Sequence, residues 1–297
     1  MKIRIFLAVL LFCLLPTLCT AAKLHVLLIP SGQEAPYRNF SGTFRKNLPN
    51  DIQLEELKIE SFTGMEKADV IVTVGMKAAA SVLKRTTLPV VAAMIPSHGY
   101  ASLKQIRADA LSAIFVDQPW ARQVLLLRAA FPDRTRVGLL TSPRSDLDIA
   151  KLSLKLREAG DTLVSVQVAE GTLFDSLERT LSRSQILLAV PDSAIYNSNS
   201  IRDILLSSYR YRVPLVGFSE AFVDAGAICA VYSTPDQLAA QTVEMIGSYL
   251  NQHRLPEPEY PALFKISVNH EVANMLGIPI PSGEQLTLDL EREGATR

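Results

Sequence analysis

The sequence lacks an excess of charge of either sign. Its 297 residues include 30 lysines and arginines and 30 aspartates and glutamates. A surface that binds nucleic acid or an anionic membrane requires a concentrated basic face, and this balance indicates none. Hydrophobic residues make up 48% of the chain, as in ordinary soluble proteins, and the length allows two cores of about 100–150 residues each.

Cysteine is also scarce, with three residues in the chain. Cys13 and Cys19 lie in the N-terminal segment considered below, so its removal would leave Cys229 alone. A single cysteine cannot form an intramolecular disulfide. Cys229 stands in the apolar stretch AGAICAVYS, which predicts a buried side chain rather than a nucleophile.

The short motifs of common catalytic and metal sites are missing. The chain has no HExxH, CxxC, GxSxG, GxxxxGK[ST] or GxGxxG sequence, and its four histidines do not stand at metal-ligand spacing. Ser97 and His98 are adjacent, an arrangement that rarely lets a base meet a nucleophile. The sequence therefore predicts no catalytic residue, no metal and no cofactor, and an enzyme stays only as a third hypothesis.

The first 22 residues have the pattern of a secretory signal peptide. A charged start, MKIRIF, precedes a short apolar run and the small residues TAA. We expect cleavage after Ala21 or Ala22 and a location in the periplasm. The apolar run is interrupted at Pro16 and is short for a spanning helix, which favours a cleaved peptide over the alternative of an uncleaved anchor. A lipoprotein anchored through Cys19 is disfavoured by the bulky Leu18 before it.

Strand and helix patterns alternate along the rest of the chain. Runs such as ADVIVTVG and LPVVAAMIP are almost continuously apolar, which indicates strands buried on both faces of a parallel sheet. The alternation restarts near Pro132–Arg136 with TRVGLLTSP. The sequence therefore predicts an α/β fold of two Rossmann-like lobes, each with a parallel sheet.

The end of the chain bears on how the lobes are joined. We expect the first lobe to span residues 23–133 and the second lobe residues 134–254. A lone strand, ALFKISVN, and a short helix, HEVANMLG, follow the second lobe. They predict that residues 255–297 return to the first lobe, which gives two crossings, a hinge and a cleft between the lobes.

Ligands on parallel sheets bind beyond the carboxyl ends of the strands, so residues that follow predicted strands are candidate ligand contacts. In the first lobe, Gly75 ends a strand, and Met76 and Lys77 open a helix whose free amides would donate hydrogen bonds to a ligand carboxylate. In the alternative interpretation, Gly75 only permits the turn and Lys77 lies in solvent. In the second lobe, Asp192 would bind a ligand ammonium or cap a local turn. Glu220 is a candidate ligand contact, a helix-start anion or a solvated residue.

Two polar loops, Asp192–Ser200 and Ser219–Gly226, bracket a helix and a strand in the second lobe. Consecutive parallel strands place their carboxyl ends together, so we expect these loops to lie side by side and form one wall of the cleft. Trp120, the only tryptophan, is predicted to pack in a core or between the lobes rather than to stack on a ligand.

Three segments carry a resemblance to a known family. ADVIVTVGMKAA, LLAVPDSAIYNSNSIRDILLSSYRYRVPLVGFSEAFVDAGAICAVYSTPDQLAAQ and FKISVNHEVANMLGIPIP, in this order, resemble the ABC-transporter substrate-binding proteins whose better-studied members bind aromatic amino acids. The resemblance implies the type I periplasmic-binding-protein fold with a closing cleft. The sequence departs from the family pattern at two places. It has Ile95–His98 where members commonly have Asp-Pro, and Pro30–Gly32 where a polar triplet is usual.

The resemblance and the strand-end rule together give one set of candidate ligand-binding residues. They are Ser31, Gly75, Met76, Lys77, Pro96, Ser97, Asp192, Ser193, Tyr196, Asn197, Phe218, Ser219 and Glu220. Pro191 falls in the same carried-over segments.

The leading hypothesis is a periplasmic solute-binding protein. It would capture a small polar molecule, an amino acid or a related compound, between its lobes and deliver it to the permease of an ABC importer. We expect it to act as a monomer and to bind no nucleic acid. The alternative is a periplasmic ligand-sensing module that signals to a membrane kinase or cyclase.

Overall fold

The computed structural model describes residues 24–143 and 145–294. The predicted signal peptide, residues 1–22, lies outside the described residues, as does Arg144, which follows a predicted strand of the second lobe. The described residues form one five-stranded sheet and one six-stranded sheet, both mainly parallel and covered by helices. This confirms the predicted α/β fold with two lobes.

The first lobe is built on the five-stranded sheet. Its strands are β1 (Leu24–Pro30), β2 (Ile52–Glu56), β3 (Val70–Val74), β4 (Val90–Ile95) and β5 (Leu111–Phe115), all parallel in the order β2-β1-β3-β4-β5. Its helices along the chain are α1 (Ala35–Asn47), α2 (Met76–Leu83) and α3 (Ser97–Ile106), with a 3-10 turn at Ile59–Ser61. Every residue of β3 and of β5 is buried, because helices cover both faces of this sheet.

The second lobe is built on the six-stranded sheet, which has the order β11-β10-β9-β8-β6-β7. Its strands are β6 (Arg136–Thr141), β7 (Thr162–Gln167), β8 (Ile186–Leu188), β9 (Leu215–Gly217), β10 (Cys229–Tyr232) and β11 (Lys265–Val268). The helices that follow α3 along the chain are α4 (Trp120–Ala130), α5 (Ile149–Glu158), α6 (Leu173–Leu181), α7 (Ile201–Arg210), α8 (Glu220–Ala225), α9 (Pro235–Gln252), α10 (His270–Leu276) and α11 (Gly283–Arg292). Strands β8 and β9 are parallel neighbours, which confirms that the two polar loops after them lie side by side.

The predicted return of residues 255–297 to the first lobe is wrong for their strand and helices. Strand β11 pairs antiparallel with β10 in the second sheet, and α11 packs on β11 and α4. Helix α9 makes the return instead. It packs on α1, and its Leu238 and Ile246 join the first-lobe core that contains Phe40 and Phe44. Its start at a capping box formed by Thr234 and Gln237 places it immediately after β10.

The chain consequently crosses between the lobes three times rather than twice. The crossings are residues 116–119, between β5 and α4, residues 233–234, between β10 and α9, and residues 260–264, before β11. Glu259 pairs with the edge of β5 immediately before the third crossing. The first lobe therefore ends at this pairing, and helix α4 belongs with the second lobe.

A buried hydrogen-bond network ties the three crossings together. The guanidinium Nη1 of Arg122 donates to the side-chain oxygen of Gln118 at 2.5 Å and to the carbonyl of Pro261 at 2.8 Å. Gln118 Nε2 donates to the hydroxyl of Ser233 at 2.9 Å, and this hydroxyl donates to the carbonyl of Leu263 at 2.6 Å. Gln118, Arg122 and Ser233 are all buried. Each crossing is therefore held by the other two.

Within residues 24–143 and 145–294, no helix combines the length and the apolar character that crossing a membrane requires.

Replacing Arg122 by methionine is expected to lower the melting temperature by about 5 °C or more. The change leaves the buried oxygens of Gln118 and Pro261 without their donor, and each such loss costs about 1–3 kcal/mol. It also removes the guanidinium that lies 4.5 Å from the ring centre of Phe264. Thermal unfolding followed by calorimetry measures the shift.

The matched control is Arg45→Met. Arg45 pairs with Glu56 on the surface, where such pairs contribute about 0–1 kcal/mol, so its loss should barely change the melting temperature. Equal melting temperatures for the two variants would show that the network does not stabilise the crossings.

Candidate functional site

Two adjoining cavities lie between the lobes, beside the crossings. The inner cavity has a volume of about 200 Å³ and the outer cavity about 370 Å³. Both are lined by His98, Asp117, Gln118, Trp120 and Leu147, so the two spaces share a boundary. They lie where the cleft was expected, beyond the carboxyl ends of the strands.

The inner cavity is mainly apolar. In addition to the shared residues, it is lined by Val116, Gln123, Ala189, Val190, Pro191, Phe218, Ser219, Val231, Tyr232 and Ser233. Most of these residues follow β8, β9 and β10 of the second lobe. An apolar space of this kind accepts the hydrocarbon or aromatic part of a ligand.

The outer cavity is more polar. Its further lining residues are Ser97, Ala101, Phe115, Asp146, Asp148, Lys151 and Tyr260. Asp148 is engaged as the N-cap of α5, where its carboxylate accepts the backbone amide of Lys151 at 2.9 Å. The described part of the chain contains no cluster of three or more His, Cys, Asp or Glu side chains suited to a metal ion.

Asp117 lies at the boundary of the two cavities. Its carboxylate accepts the backbone amide of Ser97 at 2.6 Å and the Ser97 hydroxyl at 2.5 Å. Burial raises the pKa of Asp117 above its ordinary value, although the two bonds from Ser97 act in the opposite direction. Among the described residues no lysine or arginine forms an ion pair with Asp117, and His98 is its charged neighbour, so a ligand cation can bind this carboxylate.

An irregularity in β4 places Ser97 beside Asp117. Met94 has a φ of 54°, in the left-handed region that non-glycine residues seldom adopt, and the pairing of β4 with β5 shifts register there. Pairing resumes in the shifted register at Ile95, which lies opposite Phe115 and whose carbonyl accepts the amide of Val116. Pro96 then acts as the N-cap of α3, so the first helical amide, that of Ser97, points at Asp117.

Three of the predicted ligand-binding residues line these cavities. Ser97 lines the outer cavity, and Phe218 and Ser219 line the inner one together with Pro191. Pro96 serves as the helix cap and lines neither cavity.

One amide of the predicted anion site at the start of α2 is bonded within the protein. The Ser31 hydroxyl accepts the amide of Ala78 at 3.0 Å, and Gly75 has a φ of 88°, which lets the chain turn there. A Cβ at Gly75 would stand 2.7 Å from the Ser31 hydroxyl oxygen, so the close approach also favours glycine. Met76 is half-buried, Lys77 is exposed, and none of these predicted residues lines either cavity.

The loop after β8 is held by its own hydrogen bonds. The Asp192 carboxylate accepts the amide of Ser142 at 2.8 Å and that of Ala194 at 3.1 Å, which fits the turn-capping alternative. The Asn197 side chain donates to the carbonyl of Ser193, and Ser193 itself is exposed. Asp192, Ser193 and Asn197 line neither cavity.

Tyr196 does not face the cleft, which corrects the expectation for its side chain. It is 5% exposed, and its ring contacts Phe218 and Phe222 edge-on in the second-lobe core. Burial raises the pKa of Tyr196 well above its ordinary value. The ring therefore supports Phe218, which does line the inner cavity.

Glu220 is exposed at the first position of α8. Its carboxylate interacts with the hydroxyl of Tyr232. Burial raises the pKa of Tyr232, and the contact with Glu220 raises it further, whereas the hydrogen bond with Ser267 lowers it. Glu220 does not line the inner cavity, whereas Tyr232 does.

The sequence-based prediction missed several residues that line the cavities, and the reason differs from residue to residue. Asp117 directly follows β5 in the segment FVDQP, so the strand-end rule applied to that strand would have found it. Gln123 lies within α4 and Leu147 lies six residues beyond the end of β6, so the strand-end rule marks neither of them. Trp120 lies at the junction between the lobes, as expected for packing there, but it also lines both cavities.

Asp117→Asn is expected to raise the melting temperature at pH 7. Folding raises the pKa of this carboxyl, so its ionised form is less stable in the folded protein than in the unfolded chain. The protonated carboxyl contributes its full stabilisation to the wild-type fold below about pH 3.9. This stabilisation is lost as the pH rises through the folded-state pKa. The gain of the variant over the wild type should therefore disappear below about pH 3.9.

Melting temperatures of both proteins between pH 3.5 and 8 test this expectation. Asp203→Asn, which changes an exposed carboxylate on α7, provides the control and should show no such pH-dependent difference. A lower melting temperature for Asp117→Asn at pH 7 would contradict the expectation.

Solved structures with the same fold share little sequence with this chain. A domain from Streptococcus pneumoniae in complex with L-Trp has 17% identity and a TM-score of 0.64, with 90% of this chain and 98% of that chain covered. A conserved domain protein from Vibrio cholerae has 17% identity and a TM-score of 0.61 at the same coverage. The ligand-free, open form of a substrate-binding protein with adhesive properties from Clostridium difficile has 14% identity and a TM-score of 0.70, covering 88% and 97% of the two chains.

Among proteins of curated function, none matches this sequence. The family described as ABC transporter substrate binding protein does match, over residues 55–285. This match takes in most of both lobes, all three crossings and the lining of both cavities. The chain therefore belongs to the ABC transporter substrate-binding protein family.

Proposed function

We propose that this protein captures an amino acid or a related compound, with an ammonium group and an apolar side chain, in the cleft between its lobes. It then delivers this ligand to the permease of an ABC importer. The observation that carries the proposal is the position of Asp117, a half-buried carboxylate at the boundary between a polar and an apolar cavity.

The charges around the outer cavity support a cationic group on the ligand. Asp117, Asp146 and Asp148 line it, against Lys151 as the one lysine or arginine among its lining residues. Asp148 accepts one backbone amide as a helix cap and Asp117 accepts two bonds from Ser97, and all three carboxylates attract a cation. An ammonium would bind at Asp117, and Lys151 would attract a carboxylate on the same ligand.

The inner cavity supports an apolar side chain on the ligand. Its volume of about 200 Å³ is below the roughly 300–1,000 Å³ of sites that enclose a whole drug-sized molecule, so it suits one end of a ligand. Trp120 and Phe218 contribute aromatic surface to it. An amphipathic ligand that extends from the outer to the inner cavity matches both environments.

The two lobes both contribute to these cavities, which supports binding coupled to closure. Ser97 and Ala101 come from the first lobe, Trp120, Phe218 and Ser219 come from the second, and Asp117 lies in the first crossing between them. A ligand that contacts both sets favours conformations in which the lobes are close. The L-Trp held by the similar Streptococcus pneumoniae structure has an ammonium group and an apolar, planar side chain, as this ligand would.

The proposal includes the place where the protein acts. The signal-peptide pattern of residues 1–22 supports export to the periplasm, where a substrate-binding protein meets its permease. Stimulation of ATP hydrolysis by the cognate transporter would separate import from sensing, because a sensing module would instead change the activity of a membrane kinase or cyclase.

Asp117→Asn is expected to weaken amino-acid binding at pH 7 by about 100-fold, because an ammonium loses its charged hydrogen-bond partner. Isothermal titration calorimetry of the protein, without residues 1–22, against the apolar and aromatic L-amino acids measures the affinity. Asp203→Asn makes the same chemical change on an exposed face of α7 and should bind like the wild type.

Unchanged affinity of Asp117→Asn would show that this carboxylate does not hold the ligand. If the wild-type protein binds none of these amino acids, the proposed ligand class is wrong.

A further inference from the structure

Aromatic rings line the outer cavity together with its carboxylates. Phe115, Trp120 and Tyr260 are among its lining residues, beside the three aspartates that attract a cation. Phe115 ends β5 of the first lobe, Tyr260 lies in the third crossing, and Trp120 opens α4. The cavity therefore combines negative charge with aromatic surface, and these two features act on different parts of an ammonium group.

Phe115 and Tyr260 form an aromatic corner of fixed shape. Their ring centres lie 5.0 Å apart, and the ring planes are inclined at 66° to each other. The backbone holds the pair, because the amide of Phe115 donates to the carbonyl of Glu259 at 2.9 Å. In addition, Nε2 of Gln241 donates to the carbonyl of Tyr260 at 3.1 Å. The protein therefore sets the shape of the corner through its own hydrogen bonds.

The aromatic corner lies beside Asp117. The Tyr260 hydroxyl is hydrogen-bonded with the side chain of Ser97, which also donates to the Asp117 carboxylate. Burial raises the pKa of Tyr260, and the nearby carboxylates of Asp117 and Asp148 raise it further, whereas the hydrogen bond with Ser97 lowers it. A cation held by Asp117 would therefore lie next to the two rings.

The hydrogen-bond acceptors at this position suit an ammonium with few N–H groups. A carboxylate offers about four acceptor positions, and Ser97 fills two of them at Asp117. About two remain, which is fewer than the three N–H groups of a primary ammonium. The side-chain oxygen of Gln118 already accepts a bond from Arg122. A methyl group on the nitrogen removes one donor and places a carbon atom against the rings.

We propose that the outer cavity selects a ligand whose ammonium group carries an N-alkyl substituent. The inference rests on the proposed function and names the form of the ammonium that the site prefers. The remaining N–H groups of the ligand donate to Asp117, and the alkyl substituent contacts the rings of Phe115 and Tyr260. Aromatic rings attract cations to their electron-rich faces, and this attraction is used to recognise alkylated ammonium groups.

Pairs of probes that differ in one N-methyl group isolate the substituent. Each apolar or aromatic L-amino acid is compared with its N-methyl derivative, as L-phenylalanine with N-methyl-L-phenylalanine and L-leucine with N-methyl-L-leucine. Calorimetric titration should show that the wild-type protein binds the methylated member of at least one pair about fivefold more tightly, or more. Tyr260→Leu removes one ring of the corner and should reduce this preference to less than about twofold.

Two further variants separate the ring of Tyr260 from its hydroxyl and from general effects. Tyr260→Phe keeps the ring and should retain the preference, although it loses the hydrogen bond with Ser97. Tyr211→Leu makes the same change as Tyr260→Leu at the exposed end of α7 and should also retain the preference. A merely structural role for Tyr260 would weaken the binding of both members of a pair equally and leave their ratio unchanged. Tyr260 is 37% exposed, so its truncation should leave the fold intact.

A wild-type preference below about fivefold in every pair, or one that Tyr260→Leu retains, overturns the proposal and leaves the proposed function intact. Failure of all the amino acids to bind, methylated or not, would overturn the proposed ligand class, and the preference for an alkylated ammonium would fall with it. A preference that Tyr260→Leu loses and that Tyr260→Phe and Tyr211→Leu retain establishes the proposal.

Discussion

The arrangement of the two lobes depends on the hydrogen bonds that the buried guanidinium of Arg122 donates. It binds Gln118 in the first crossing and the carbonyl of Pro261 in the third, while Gln118 reaches Ser233 in the second. Burial lowers the pKa of Arg122 to about 10, which still leaves it charged at neutral pH. Without this network the three crossings would present unpaired polar groups in a buried region, and the cleft would lose its fixed inner end.

The buried polar groups of the second lobe and of the cleft divide into two kinds. Asp192 is fully engaged, since its carboxylate receives two backbone amides and fixes the loop after β8. Asp117 has a raised pKa, and Gln123 has an unpaired oxygen, so each makes the folded protein less stable than an apolar replacement would. Both line the inner cavity, but the same cost arises away from it, at the unpaired Tyr196 hydroxyl in the second-lobe core. A ligand can satisfy such a group where it borders a cavity, as Asp117 does by lining both of them.

The sequence predicted the fold class because buried parallel strands have an unmistakable composition, as in ADVIVTVG and LPVVAAMIP. It placed helix α9 and strand β11 in the wrong lobes, since an apolar helix face fits either sheet and only contacts in the fold, such as those of Leu238 and Ile246, decide. For the site, the strand-end rule reached Ser97, Phe218 and Ser219 and applied equally to Asp117. Gln123 was out of reach, because it lies within helix α4 and reaches the inner cavity only through the way this helix packs.

The cleft and the crossings share residues, and this links binding to the relative position of the lobes. Gln118 and Ser233 line the inner cavity and also hold the crossings together. The side chain of a ligand in this cavity would therefore contact the groups that set the angle between the lobes. Its contacts with Trp120 and Phe218 on one side and Asp117 on the other would form together only at certain angles. A ligand of the right length thus favours one arrangement of the crossings, and a partner protein can recognise that arrangement without touching the ligand.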